Sequence, residues 1–105
     1  MKEITPSELK AMIDRNEKFQ LIDVREQYEI DLCNIGGTNI NFYDILDRKM
    51  EIDKNKKVII YCRSGKRSAT AINILEKDSE FSNLYNLKGG INQWAKEVDS
   101  SITPY

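Results

Sequence analysis

Cys62 ends an apolar run, Val58-Ile59-Ile60-Tyr61, and is followed by Arg63, Ser64, Gly65, Lys66, Arg67 and Ser68. A soft nucleophile thus stands where an apolar segment stops, with three cations in the next five positions. The chemistry within reach is that of a thiolate. A short loop between a strand and a helix turns successive backbone N–H groups toward one point, an anion nest that the helix dipole reinforces. Gly65 supplies the freedom such a loop needs. Cysteine ionises near pH 8.5 when unperturbed, and a helix N-terminus with Lys or Arg close by brings this down to about 3.5–7.5. Cys62 is therefore expected to be a nucleophile that needs no histidine to activate it. A nucleotide-binding loop fits less well. Gly65-Lys66 is followed by Arg67 rather than Ser or Thr, and Ile60 stands where a phosphate loop has its first glycine.

The charge distribution singles out the same segment. The chain has 105 residues, 16 Lys+Arg and 17 Asp+Glu. Residues 1–53 carry 7 cations and 12 anions, residues 54–75 carry 6 and none, and residues 76–105 carry 3 and 5. The positive field is concentrated around Cys62, with no acid nearby in sequence. Six cations in an acidic domain make no broad basic stripe, so no nucleic-acid partner is expected. With no His in the chain, a Ser-His-Asp triad, a Cys-His dyad and a closed Cys/His zinc site are excluded, and no metal or cofactor is expected. No apolar run reaches the ~18 residues of a membrane span, and Met1–Thr5 has no apolar signal core. A cytoplasmic monomer with two free thiols, off the membrane, is the expectation.

The elements that must position Cys62 follow from periodicity. Thr5-Pro6-Ser7-Glu8 reads as a capping box with proline at the first helical position, opening a helix to about Asn16. Gln20–Val24 reads as a strand, Arg25–Cys33 as one or two helical turns, Thr38–Asn41 as a brief strand and Phe42–Met50 as a helix. Lys57–Tyr61 is the clearest strand, and its continuous apolar run fits burial on both faces. A six-residue loop, Cys62 to Arg67, precedes a helix over Ser68–Lys77. Asn83–Leu87 is a strand candidate, and Ile91–Val98 a helix carrying Trp94. Strands alternating with helices predict an α/β fold with a mainly parallel sheet, in one domain spanning residues 1–105. Ligands of such sheets bind beyond the strands' carboxyl ends, where Cys62 falls.

On these residues the sequence resembles the rhodanese-like sulfurtransferase domain. Three segments carry the resemblance in order: Leu21-Ile22-Asp23-Val24-Arg25-Glu26 with Tyr28 and Glu29, the loop Cys62–Ser68, and Leu87-Lys88-Gly89-Gly90-Ile91 with Trp94. The stretch from Gly89 to Tyr105 is most similar to the rhodanese-like domain that ends some sulfur-carrier adenylyltransferases, although no adenylating domain is present. The resemblance implies a central, mostly parallel five-stranded sheet flanked by helices. It also implies that sulfane sulfur passes through a persulfide on Cys62. A small anionic donor such as thiosulfate would be held by Arg63, Ser64, Gly65, Lys66, Arg67 and Ser68, with Arg67 partly structural. A protein donor or acceptor is a further implied partner. The related Cys-based phosphatases use Cys-x5-Arg; Cys62 and Arg67 enclose four residues, a ring suited to one sulfur atom, with no general acid in it.

The competing function is a docking module that binds sulfur or an anion without turnover. Where the family commonly has Gly-His-Ile, this chain has Cys33-Asn34-Ile35, and Asn34 is expected to hydrogen-bond locally. Cys33 is a bystander thiol or, alternatively, a resolving thiol for Cys62. Asp23, Arg25 and Glu29 are expected in ion pairs or caps near the loop, and Trp94 and Phe42 in the core.

Overall fold

At the N-terminus the capping box closes as its spacing requires. The Thr5 hydroxyl accepts the Glu8 N–H at 3.1 Å, and the Glu8 carboxylate accepts the Thr5 N–H at 2.9 Å. Pro6 then opens α1, Pro6–Asp14, which stops short of the expected Asn16 because Asn16 takes a positive φ of 54°. The computed structural model describes residues 1–78 and 81–105. Its remaining elements are β1 (Glu3–Ile4), β2 (Phe19–Asp23), α2 (Gln27–Leu32), β3 (Thr38–Asn39), β4 (Lys57–Tyr61), α3 (Lys66–Asp78), β5 (Leu84–Leu87) and α4 (Gly90–Glu97). The strands form one sheet in the order β1-β5-β4-β2-β3, and every pairing is parallel.

β4 lies at the centre, in register with β2 from Phe19↔Lys57 to Asp23↔Tyr61. Its side chains alternate between two cores, which explains the unbroken apolar run. Val58 and Ile60, followed by Cys62, pack with Ala71, Ile72 and Leu75 of α3. Ile59 and Tyr61 pack with Leu9 and Met12 of α1 and with Ile91 and Trp94 of α4. Trp94 is therefore a core residue as expected, and Phe42 packs partly buried against the first core. β1 was not foreseen: two residues carry no periodicity, and its place is fixed by pairing with β5, where Lys2 and Ile4 carbonyls accept the Asn86 and Lys88 N–H groups.

The helix expected over Phe42–Met50 does not form. Two isolated 3-10 turns, Phe42–Asp44 and Lys49–Glu51, stand there instead. Long-range bonds override the local stripe: the Gln20 side chain holds the Glu51 carbonyl at 2.8 Å and the Asp53 N–H at 2.7 Å, and Arg48 reaches the Asn39 carbonyl. These anchors fix the C-terminal side of the segment, and the chain meets them in separate turns rather than one helix. Ile45 reaches the core, whereas Met50 is 88% exposed.

Candidate active site

The loop after β4 is shorter than the sequence predicts. α3 begins at Lys66, so Lys66, Arg67 and Ser68 form its first turn and only Cys62–Gly65 lie outside it. Gly65 makes this possible at φ +98°, and its carbonyl accepts the Ala69 N–H, the first helical bond. The Cys62 sulfur then takes the place of an N-cap acceptor. It receives the Gly65 N–H at 3.1 Å and the Ser68 N–H at 3.5 Å, at the positive end of the helix dipole. The Ser68 hydroxyl lies 3.4 Å from the same sulfur. Cys62 is 1% exposed, at the floor of the loop; Arg63, Ser64 and Lys66 are exposed above it, Gly65 and Ser68 are buried, and Arg67 is half-buried.

The Gly89-Gly90 pair secures the loop from behind. At Gly90 an added Cβ would stand 2.4 Å from the Arg63 carbonyl oxygen and 2.5 Å from that of Cys62. This close approach lets the first amides of α4 reach the loop: Ile91 N–H bonds the Cys62 carbonyl at 2.9 Å, and Asn92 N–H bonds that of Arg63 at 3.2 Å.

Glu29 reaches the loop as expected and pairs with Arg67. It is distant in chain, but α2 carries its buried carboxylate onto Arg67, whose two terminal nitrogens each bond one carboxylate oxygen at 2.7 Å. The Arg67 fork, with help from the Glu26 N–H and the Tyr105 hydroxyl, holds the Glu29 carboxyl down to about 2 against the cost of burial. The same pairing raises the pKa of Arg67. Behind it, fully buried Arg25 grips Asp23 and also donates to the Glu29 and Cys33 carbonyls. The ion-pair reading of Asp23, Arg25 and Glu29 therefore stands.

Two participants escaped the sequence analysis. Tyr105 returns to the site, its backbone N–H and carbonyl both bonded by the Asn92 side chain. Its hydroxyl bridges Arg25 and Glu29, each at 2.9 Å, and its ring lies 4.9 Å from the Arg63 guanidinium carbon. Burial, with the Glu29 carboxylate, pushes the Tyr105 phenol up to about 12. Asn86, buried in β5, bonds Ser68 and the Gly65 carbonyl. Neither residue carries a local signal, because each acts through a contact made at long sequence separation.

Cys33 packs against the second core, on the opposite face of the sheet from Cys62, and both thiols are free. A direct resolving role for Cys33 has no geometric support. Asn34 makes the expected local bond, accepting the Gly36 N–H at 3.1 Å.

Residues 5–97 match the rhodanese-like domain family. The chain belongs to that family. Among solved structures, the rhodanese-like domain protein of Staphylococcus aureus superposes with a TM-score of 0.82 at 31% identity, over 93% of this chain and 95% of that one. YtwF of Bacillus subtilis, named as a sulfurtransferase, is 35% identical over 93% of this chain and 94% of its own length. MoeZ of Mycobacterium tuberculosis, named as an adenylyltransferase/sulfurtransferase, is 32% identical over 97% of this chain. This rhodanese-like chain spans 26% of the length of MoeZ. Among the described residues no helix is long and apolar enough to cross a membrane.

Proposed function

We propose that this rhodanese-like domain is a sulfurtransferase that carries sulfane sulfur as a persulfide on Cys62. The supporting observation is the pair of backbone N–H groups, from Gly65 and Ser68, directed at the Cys62 sulfur from the start of α3. With thiosulfate as donor, the Cys62 thiolate attacks the outer sulfur. The S–S bond of thiosulfate breaks, and sulfite leaves with the bonding pair. The new persulfide anion lies over the loop, where exposed Arg63, Ser64 and Lys66 surround the approach and favour anionic donors. An acceptor nucleophile, cyanide in an assay, takes the outer sulfur and returns the thiolate. Arg67 gives both terminal nitrogens to Glu29, which favours a role in holding the loop over contact with the donor. A protein-borne persulfide is the alternative donor, consistent with the sulfurtransferase names of MoeZ and YtwF.

The near-complete burial of Cys62 favours one rival, a docking module that holds sulfur without turnover. Thiosulfate:cyanide transfer by wild type and Cys62→Ser separates the two. Transfer lost in the variant, with the intact mass of wild type rising by one sulfur after thiosulfate treatment, supports the enzyme. Equal background rates support the docking module.

A further inference from the structure

The hydrogen-bond directions around the sulfur are fixed by a residue that never touches it. The Asn86 Nδ2 group faces the Gly65 carbonyl at 3.1 Å, and a carbonyl can only accept, so the amide has one orientation. Its Oδ1 therefore faces Ser68 Oγ at 2.5 Å, and Oδ1 can only accept. The single hydroxyl proton of Ser68 is committed to Asn86. What Ser68 turns toward the Cys62 sulfur, 3.4 Å away, is a lone pair. A protonated Cys62 completes the chain, S–H to Ser68 to Asn86. An ionised Cys62 meets two favourable amides and one unfavourable oxygen. For the hydroxyl to swing round and donate to the thiolate, the buried Oδ1 must lose its partner and stand unsatisfied.

We propose that Asn86 is a positioning residue that keeps the Ser68 hydroxyl turned away from Cys62, and so sets the pH at which the sulfur ionises. The balance also favours the loaded state. In a persulfide the charge sits on the outer sulfur, the inner one is neutral, and Ser68 keeps its bond to Asn86. That corollary rests on the sulfur-transfer reading; the hydroxyl orientation does not. The charged groups around the sulfur are Arg63 beside it, Lys66 and Arg67 on α3 and Glu29 on α2, the last two paired. The described α4 and β5 residues bordering the loop, Ile91, Asn92 and Asn86, are uncharged.

The test is the ultraviolet absorbance of the thiolate against pH, in a Cys33→Ser background with the double Cys-to-Ser protein as blank. It reads ionisation whether or not sulfur is transferred, so its outcome is separable from that of the transfer assay. Asn86→Ala releases the Ser68 hydroxyl to donate to the anion, and the midpoint is expected to fall by about one pH unit, roughly ten-fold in thiolate at a fixed pH below it. Combined with Ser68→Ala, the Asn86→Ala shift is expected to vanish. Ser68→Ala alone keeps the size of the site nearly unchanged and reads the sign directly: a lowered midpoint supports an accepting oxygen. A midpoint raised or unmoved by Ser68→Ala or by folded Asn86→Ala overturns the proposal, as does a shift that survives in the double variant. If Asn86→Ala does not fold, the Ser68→Ala midpoint decides alone.

Discussion

Glu29→Gln removes the charge that α2 brings to the loop while keeping the side chain's shape. In the folded protein the Glu29 carboxyl is held from an ordinary 4.5 down to about 2, chiefly by Arg67. At about 1.4 kcal/mol per pH unit this corresponds to ~3 kcal/mol of folding stability. Arg67 is 35% exposed on its side chain, so water screens part of the interaction and about 2 kcal/mol is the working magnitude. The sign follows from the direction of the shift: a depressed carboxyl contributes fully above its unfolded value and loses its contribution as acid protonates it. Urea unfolding of wild type and Glu29→Gln, repeated from neutral pH downward, is the assay. Wild type is expected to be more stable by about 2 kcal/mol at neutral pH. That gap is expected to close between 4.5 and about 2, the unfolded and folded values. A gap that persists unchanged to the acid end, or none at neutral pH, would refute the reasoning.

The glycines of the site differ in why they are needed. Gly90→Ala collides with two carbonyl oxygens at 2.4 and 2.5 Å and is expected to cost about 3 kcal/mol in unfolding free energy. Gly65→Ala meets only ordinary contacts from 3.5 Å and carries backbone strain alone, about 1–2 kcal/mol; the reverse order in urea melts would contradict the close-approach account. Tyr105→Phe loses the hydroxyl bridge and about 1–2 kcal/mol of stability. Tyr105→Leu also releases Arg63 and is expected to raise the KM for thiosulfate with little change in kcat, so an equal KM rise in Tyr105→Phe would remove the role given to the ring. Cys33→Ser is expected to leave thiosulfate:cyanide transfer at the wild-type rate, since Cys33 faces the other core; a large loss would restore it as a participant.

The strongest expectations were those in which local and global requirements coincide. Lys57–Tyr61 is apolar at every position past Lys57 because both faces of β4 are covered, and the Thr5 capping box needs no distant partner. The Phe42–Met50 segment failed for the opposite reason. Its stripe is a valid helical pattern, but the contacts that Gln20 and Arg48 make with other parts of the chain hold its C-terminal side, and none of them is written in the stripe. β1 was invisible because two residues have no period. At the site, the turn at Gly65 and the cations beside Cys62 were legible, while the loop's length was misjudged by two residues: Lys66 and Arg67 already belong to α3.

The sequence by itself placed one cysteine where a buried parallel strand gives way to a helix, followed by a glycine and three cations, because strand burial, turn chemistry and capping are written in neighbouring residues. The tertiary structure decided what surrounds that sulfur. Glu29 comes from α2, Asn86 from β5 and Tyr105 from the end of the chain, and each meets the loop across a sheet whose order, β1-β5-β4-β2-β3, is not the order of the chain. Those contacts depend on packing elements far apart in sequence, and a side chain's hydrogen-bond partner at such separation leaves no trace in the residues beside it.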